Sequence, residues 1–292
     1  MKPAPFAYAR PGSIEEACAL LAADEDARII DGGQTLVPML AMRLARPTVL
    51  VDILRIEGLA DIRETPDSIT IGATTRQVDI EHSPLIAARL PLLAKAMPWV
   101  GHPPTRNRGT IGGSIANADP AAEIPLVAVT LGAEIVSFTA DGSETIPADE
   151  FFIGPMLTAA PAGGCVTEIR WPVWQEPRLG VAFHEISARR GDFAFVAAAA
   201  QVSLDAAGVC TGCAVGIGGV GDRPVRLQAA SDALIGSKLD DATIREAVST
   251  SVEELDATSD LHASAEYRRR VARTLAIRAL TDARDTAAGV KP

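Results

Sequence analysis

The sequence predicts an α+β protein in two domains, and three observations carry that expectation. Short strands and short helices alternate up to about residue 175, and paired glycines stand at two of the junctions, Gly32-Gly33 and Gly112-Gly113. The segment Pro172–Arg178, with prolines and an acidic residue close together, breaks this pattern and places a domain boundary there. Beyond it, Gly180–Ser187, Phe193–Leu204 and Val209–Ile217 are long alternating or apolar runs typical of an antiparallel sheet, and three helices follow. The 292 residues divide accordingly into 1–175, itself in parts 1–54 and 55–175, and 176–292.

Taken in order, Ser13-Ile14-Glu15-Glu16 is a capping box, and Ile14, Ala17, Cys18 and Leu21 follow at helical spacing, so the first helix runs from about Ile14 to Asp24. Ala27–Ile30 reads as a short buried strand leading into Asp31-Gly32-Gly33-Gln34-Thr35. A helix carrying Leu36, Leu40 and Leu44 follows, with Pro38 tolerated in its first turn and Pro47 closing it. Thr48–Ile53 is a parallel-type strand. Ala60–Arg63 and Ser68–Ala73 alternate across Pro66-Asp67 as a hairpin. Helices are expected at about Thr75–Glu81 and Pro84–Met97, and an irregular connection at Trp99–Pro104.

The stretch Thr105–Pro125 concentrates the site chemistry. Gly109, Gly112 and Gly113 leave no Cβ against a ligand and let consecutive N–H groups turn toward an anion, and Asp119-Pro120 reads as a helix start; the same residues also suit a plain surface turn. Arg106 and Arg108 read either as phosphate ligands or as solvated loop cations. Ile124–Leu131 is a helix, Ala133–Phe138 and Ser143–Ile146 a hairpin about Asp141-Gly142, and Val166–Trp171 a strand. The closing helices lie near Leu227–Ile235, Ala242–Leu255 and Ala263–Ala287, the last with a basic face of Arg268, Arg269, Arg270 and Arg273 that suits solvent or a subunit contact.

Composition narrows the function. A formal charge of −10 argues against a general nucleic-acid binder, which needs clustered Lys and Arg. No run of 18 uncharged apolar residues and no signal-peptide pattern occurs, so a cytoplasmic location is expected. Cys18, Cys165, Cys210 and Cys213 are too few for a disulfide scaffold, and Cys210-Thr-Gly-Cys213, within a strand and without a second Cys or His pair, reads as structural thiols rather than a metal or redox site. His82, His102, His184 and His262 lack metal-site spacing, and G-x-S-x-G, G-x-G-x-x-G and the Walker loop are absent. Asp192 suits an ion pair as well as catalysis. What remains is a pair of Gly-Gly elements, each leading toward a helix, suited to holding a diphosphate from two sides; chemistry would come from a cofactor.

Asp31-Gly32-Gly33-Gln34-Thr35, the segment Gly101-His102-Pro103 through Arg106-Asn107-Arg108-Gly109-Thr110-Ile111-Gly112-Gly113-Ser114, and Ala118-Asp119-Pro120-Ala121-Ala122-Glu123 resemble the FAD-binding medium subunits of molybdenum hydroxylases. The resemblance extends through Arg189-Arg190-Gly191-Asp192-Phe193-Ala194 and Asp260–Arg268, nearly the whole chain. It implies a two-part FAD-binding domain of the vanillyl-alcohol oxidase or p-cresol methylhydroxylase type, followed by a C-terminal domain of the carbon monoxide dehydrogenase flavoprotein type. It also implies that Ile29, Ile30, Asp31, Gly32, Gly33, Gln34, Thr35 and Leu36 bind the FAD diphosphate and its surroundings, together with Thr110, Ile111, Gly112, Gly113 and Ser114. Val100 would pack on the cofactor, and Glu123, Val166 and His184 would make further contacts. Asp31 stands where a small apolar Ala is common, Thr35 replaces the usual Ser, and His184 stands where some relatives have Lys; the Asp31 side chain is expected to point away from the diphosphate.

The resemblance further implies an electron-transfer role with no catalytic side chain and no metal on this chain. Electrons would come from [2Fe-2S] clusters on a small partner subunit, beside a large molybdopterin-binding subunit, in a dimer of heterotrimers, and would leave to an external acceptor. This chain lacks the cysteine sets that such clusters need. Phe193 suits either a cover over a flavin face or a core position. Two rivals stand beside this reading: a stand-alone FAD-dependent oxidase of the same fold class, which the few aromatic residues disfavour, and a cofactor-free scaffold, which the intact glycine motifs disfavour.

Overall fold

The computed structural model describes residues 2–290. The first unit comprises β1 (Ala7–Ala9), α1 (Ile14–Ala23), β2 (Arg28–Ile30), α2 (Leu36–Ala41) and β3 (Val49–Asp52), its sheet parallel in the order β1-β3-β2 with Ile29 beside Val51. Ser13 Oγ accepts from Glu16 N and so starts α1 where the capping box predicts, while the Glu16 carboxylate accepts from Gly12 N. Two expectations are corrected. The chain's first strand, β1, was not expected, because three residues carry no periodicity; and α2 stops at Ala41, six residues before Pro47, as Arg43 turns to a left-handed φ of 60° and Leu44 faces solvent.

The second unit runs through β4 (Ile62–Glu64), β5 (Ser68–Gly72), α3 (Gln77–Glu81), α4 (Pro84–Arg89), α5 (Pro91–Ala96), α6 (Pro103–Arg108), α7 (Ile111–Asn117), α8 (Glu123–Leu131), β6 (Glu134–Thr139), β7 (Gly142–Pro147), α9 (Ala148–Phe151), β8 (Phe152–Gly154), β9 (Leu157–Thr158) and β10 (Cys165–Pro172). Its antiparallel sheet has the order β4-β5-β10-β6-β7. The helix expected across Pro84–Met97 is two, because Pro91 disfavours helical backbone at Leu90 and cannot donate to the preceding turn. The connection expected at Trp99–Pro104 ends in α6, opened by Pro103 and Pro104 in its first turn. Asp119-Pro120 does not start a helix: Ala118 is left-handed, Asp119 Oδ1 accepts from Ala121 N at 2.9 Å, and α8 begins at Glu123.

The third unit is β11 (Leu179–Ser187), β12 (Ala194–Leu204), β13 (Cys210–Gly218) and β14 (Val225–Arg226), antiparallel in that order, with α10 (Gln228–Leu234), α11 (Asp241–Glu253) and α12 (Ala265–Ala287). Both faces of this sheet are covered. Val196, Ala198, Ala200 and Val202 face the helices α10–α12, while Ala197 and Ala199 join the core of the second unit. Every residue of α8 is buried, so the helix has no solvent stripe and serves as the layer between the two sheets. Arg268 does not belong to an exposed basic face: it is buried and donates to the carbonyls of Phe195 and Gly219 and to Asp260. Among the described residues, no helix is long and apolar enough to cross a membrane.

Candidate functional site

A cleft of about 540 Å³ opens where the loop after β2, the start of α7, the loop before α8 and the loop between β11 and β12 meet. The loop Gly32–Thr35 reaches it from the first unit. Among the described residues, none of its four main-chain N–H groups donates to a protein acceptor, so these donors are left without a protein partner in a loop that lines the cleft. Val37 N bonds to Gly33 O at 3.0 Å and Met39 N to Thr35 O at 3.2 Å, which set the first turn of α2 behind it.

The second glycine element is built differently from the expectation. Gly112 and Gly113 are not in a loop but in the first turn of α7, capped by Thr110, whose Oγ1 accepts from Gly113 N at 3.2 Å. Ile111 N bonds to Thr75 O and Gly112 N to Ala73 O, so these amides are spent inside the protein. The glycines serve close approach instead. A Cβ on Gly112 would lie 2.7 Å from Ala73 Cα, and one on Gly113 would lie 2.7 Å from Thr110 Oγ1.

Of the residues expected at the site, Ile29, Asp31–Leu36, Val100, Thr110, Gly112, Gly113, Ser114, Glu123 and Val166 line the cleft. Ile30, Ile111 and His184 do not. Strand alternation turns Ile30 to the face opposite Ile29, and Ile111 is buried beneath α7 in the core of the second unit. Along β11, Phe183 faces that core while His184 turns to α12, where its Nε2 lies 2.8 Å from Asp282 Oδ2. Arg106 is no ligand either: it pairs with both oxygens of Glu81 at 2.7 and 2.9 Å and donates to the carbonyls of Val100 and Gly101. Arg106 therefore shapes the wall that Val100 contributes.

Sequence reasoning missed Ile53 and Asn117 as lining residues; Gly191 and Asp192, singled out in the sequence but not placed at the site, line it as well. Asn117 ends α7 on the same side as Ser114, a helical spacing that points to it once α7 is known. Gly191 brings its loop against the cleft mouth: a Cβ there would lie 2.6 Å from His102 Nδ1 and 3.1 Å from Gly101 O. Phe193, on the same loop, lines the cleft with 68% of its surface exposed, so it is not a core residue.

The charges of the lining are mostly acidic. Asp31, Asp119, Glu123 and Asp192 stand against Arg28, whose guanidinium donates to the carbonyls of Glu25 and Ala27. Burial pushes Asp31 up to about 6 and Glu123 up to about 7, and raises Asp119. Glu185, behind Glu123 on β11, rises to about 8 for the same reason, with both carboxylate oxygens buried and unpartnered. Asp31 is among the lining residues, its Oδ2 accepts from the Thr110 hydroxyl, and its Oδ1 is buried without a partner. The cleft thus combines free main-chain donors at one end with apolar walls of Ile29, Ile53, Val100, Val166 and Phe193. That combination fits a ligand with an anionic segment and a flat apolar ring system.

Two protein families match the chain: "FAD binding domain in molybdopterin dehydrogenase" over residues 4–174 and "CO dehydrogenase flavoprotein C-terminal domain" over residues 181–283. The 6-hydroxypseudooxynicotine dehydrogenase complex subunit alpha of Paenarthrobacter nicotinovorans is 42% identical over 97% of this chain and 96% of its own. A chain of quinoline 2-oxidoreductase from Pseudomonas putida 86 superposes with a TM-score of 0.92 at 35% identity, covering 99% of both. A chain of carbon monoxide dehydrogenase from Hydrogenophaga pseudoflava gives a TM-score of 0.94 at 34% identity, covering 98% of this chain and 99% of its own.

Proposed function

The chain belongs to the FAD-binding medium subunits of the molybdenum hydroxylases, and from that membership we propose that it works as the electron-transfer subunit of such a complex. It takes electrons from [2Fe-2S] clusters on a small subunit, beside a large molybdopterin-binding subunit, and passes them to an external acceptor. A dimer of heterotrimers in the cytoplasm is the assembly this reading favours. The FAD-binding domain is taken as residues 1–175, in parts 1–54 and 55–175, and the C-terminal domain as 176–292; family matches ending at 174 and beginning at 181 support that division.

The observation that carries the reading is the set of free N–H donors of Gly32–Thr35 at one end of an apolar-walled cleft. These donors would hold the diphosphate, Gly113 and Ser114 would frame its other side, and Val100 and Val166 would pack on the cofactor. Bound FAD supplies the redox chemistry. The loop with Gly191 and Phe193 would limit water at the cleft mouth, and Arg106 would keep Val100 and Gly101 in position through its paired bonds to Glu81.

Reconstituting the purified chain with FAD tests the proposal. Bound flavin absorbance is expected, with loss on Gly33→Val. No flavin uptake by the chain, and no effect of that substitution in the assembled enzyme, would sink it. Reduction of the isolated chain's flavin by a small alcohol or phenol would favour a stand-alone oxidase instead.

A further inference from the structure

Asp31 is the point where the two glycine elements are tied together. Its Oδ2 accepts from the Thr110 hydroxyl, Oδ1 is buried without a partner, and a Cβ on Gly113 would lie 3.8 Å from Oδ2. The carboxyl therefore joins the Gly32 loop, which it immediately precedes in the chain, to the first turn of α7, the two elements that would hold a diphosphate under the proposed function. It also takes up the one O–H that Thr110 has to offer.

We propose that Asp31 makes FAD binding proton-linked: an ionised Asp31 repels the diphosphate and claims the Thr110 hydroxyl, and binding takes up one proton from solvent onto Asp31. This rests on the assignment of the cleft to FAD. Protonated Asp31 can donate where the carboxylate could only accept, which removes the repulsion and frees Thr110 O–H to turn toward the ligand. Burial already raises the Asp31 carboxyl to about 6, so the two negative phosphates of a bound FAD would raise it further and draw a proton at neutral pH.

The charges around Asp31 do not offset this. Arg76 favours the ionised form, but its guanidinium is committed to the carbonyl of Arg108. Asp52, at the end of β3, opposes ionisation and is itself held by Tyr8 and Arg10. Cys165 on β10 stays a neutral thiol, pushed up to about 12 by burial. Across the cleft, Asp119 and Glu123 add acidic groups that titrate in the same direction, so the wild-type pH profile contains them and the Asp31 share has to be read by difference.

The test is FAD affinity of the full-length apo chain, by flavin fluorescence titration from pH 5.5 to 8.5, for the wild type, Asp31→Asn and Asp31→Ala, with riboflavin as the phosphate-free probe. Above pH 6 the wild type is expected to lose FAD affinity more steeply than Asp31→Asn by up to about tenfold per pH unit, the signature of one linked proton. Asp31→Ala should show the same flattening, and riboflavin should give one slope for all three chains. Equal FAD slopes for wild type and both variants, with binding retained, would overturn the inference, as would a slope difference that persists with riboflavin. Loss of FAD binding by every chain at every pH would instead overturn the assignment of the cleft, and this inference with it.

Discussion

Gly32 and Gly109 meet backbone to backbone: a Cβ on Gly32 would lie 2.8 Å from Gly109 Cα and 2.7 Å from Arg108 O. The first glycine loop is thereby pressed against the strand-like entry to α7, and neither partner is a flexible side chain that could move aside. Gly32→Ala is expected to separate the two elements and lower FAD affinity at least about tenfold, with a lower melting temperature. Gly154→Ala, at a site with nothing within 4 Å, is the control that should leave both unchanged. Flavin content after reconstitution and a thermal melt read the two effects.

The neighbouring glycines of α7 should separate packing from binding. An Ala at Gly112 meets Ala73 in the core, an overpacking cost of about 1–3 kcal/mol visible as a lower denaturation midpoint. An Ala at Gly113 meets Thr110 Oγ1, so Gly113→Ala is expected to weaken flavin binding with a smaller stability change. Denaturant melts of the apo chains, set beside their FAD titrations, check the contrast.

Arg106 and Glu81 form a largely buried pair with side-chain exposures of 9% and 17%. Arg106→Ala leaves a carboxylate and two carbonyls without their donor, and the expected loss is about 3–5 kcal/mol. Arg106→Lys restores charge but not the planar fork, so it should recover only part of the stability in a chemical denaturation series.

Buried carboxyls set the pH response of the apo chain. Glu123 at about 7 and Glu185 at about 8 bind protons in the folded state that the unfolded chain, with ordinary carboxyls near 4.5, has already released. Their contribution is present in full below the unfolded value and is lost as pH rises through 7 to 8. The melting temperature should therefore fall as pH rises from about 5 to about 8 and level off above that. Glu185→Gln, which keeps the neutral shape, should flatten that fall; an unchanged slope would remove Glu185 from the account.

Much of the fold was legible because its signals are local. The capping box at Ser13 starts α1, Pro66-Asp67 turns the β4–β5 hairpin, and the alternating runs after residue 178 become the long strands of the C-terminal sheet. Both glycine pairs look alike in the sequence, yet only the Gly32–Thr35 loop keeps its N–H groups free, while those of Ile111, Gly112 and Gly113 are bonded within the protein.

By itself, then, the sequence determined the two-domain α+β class, the longer strands and helices and most of the residues that line the cleft, since caps, turns and periodicity depend on neighbours along the chain. The tertiary structure alone decided that Gly112 is a packing contact for Ala73, that Arg106 belongs to Glu81, that His184 faces Asp282 and that Asp31 reaches Thr110. Each of those depends on a partner distant in sequence, and which hydrogen bonds a group keeps for a ligand is settled only when its protein partners are in place.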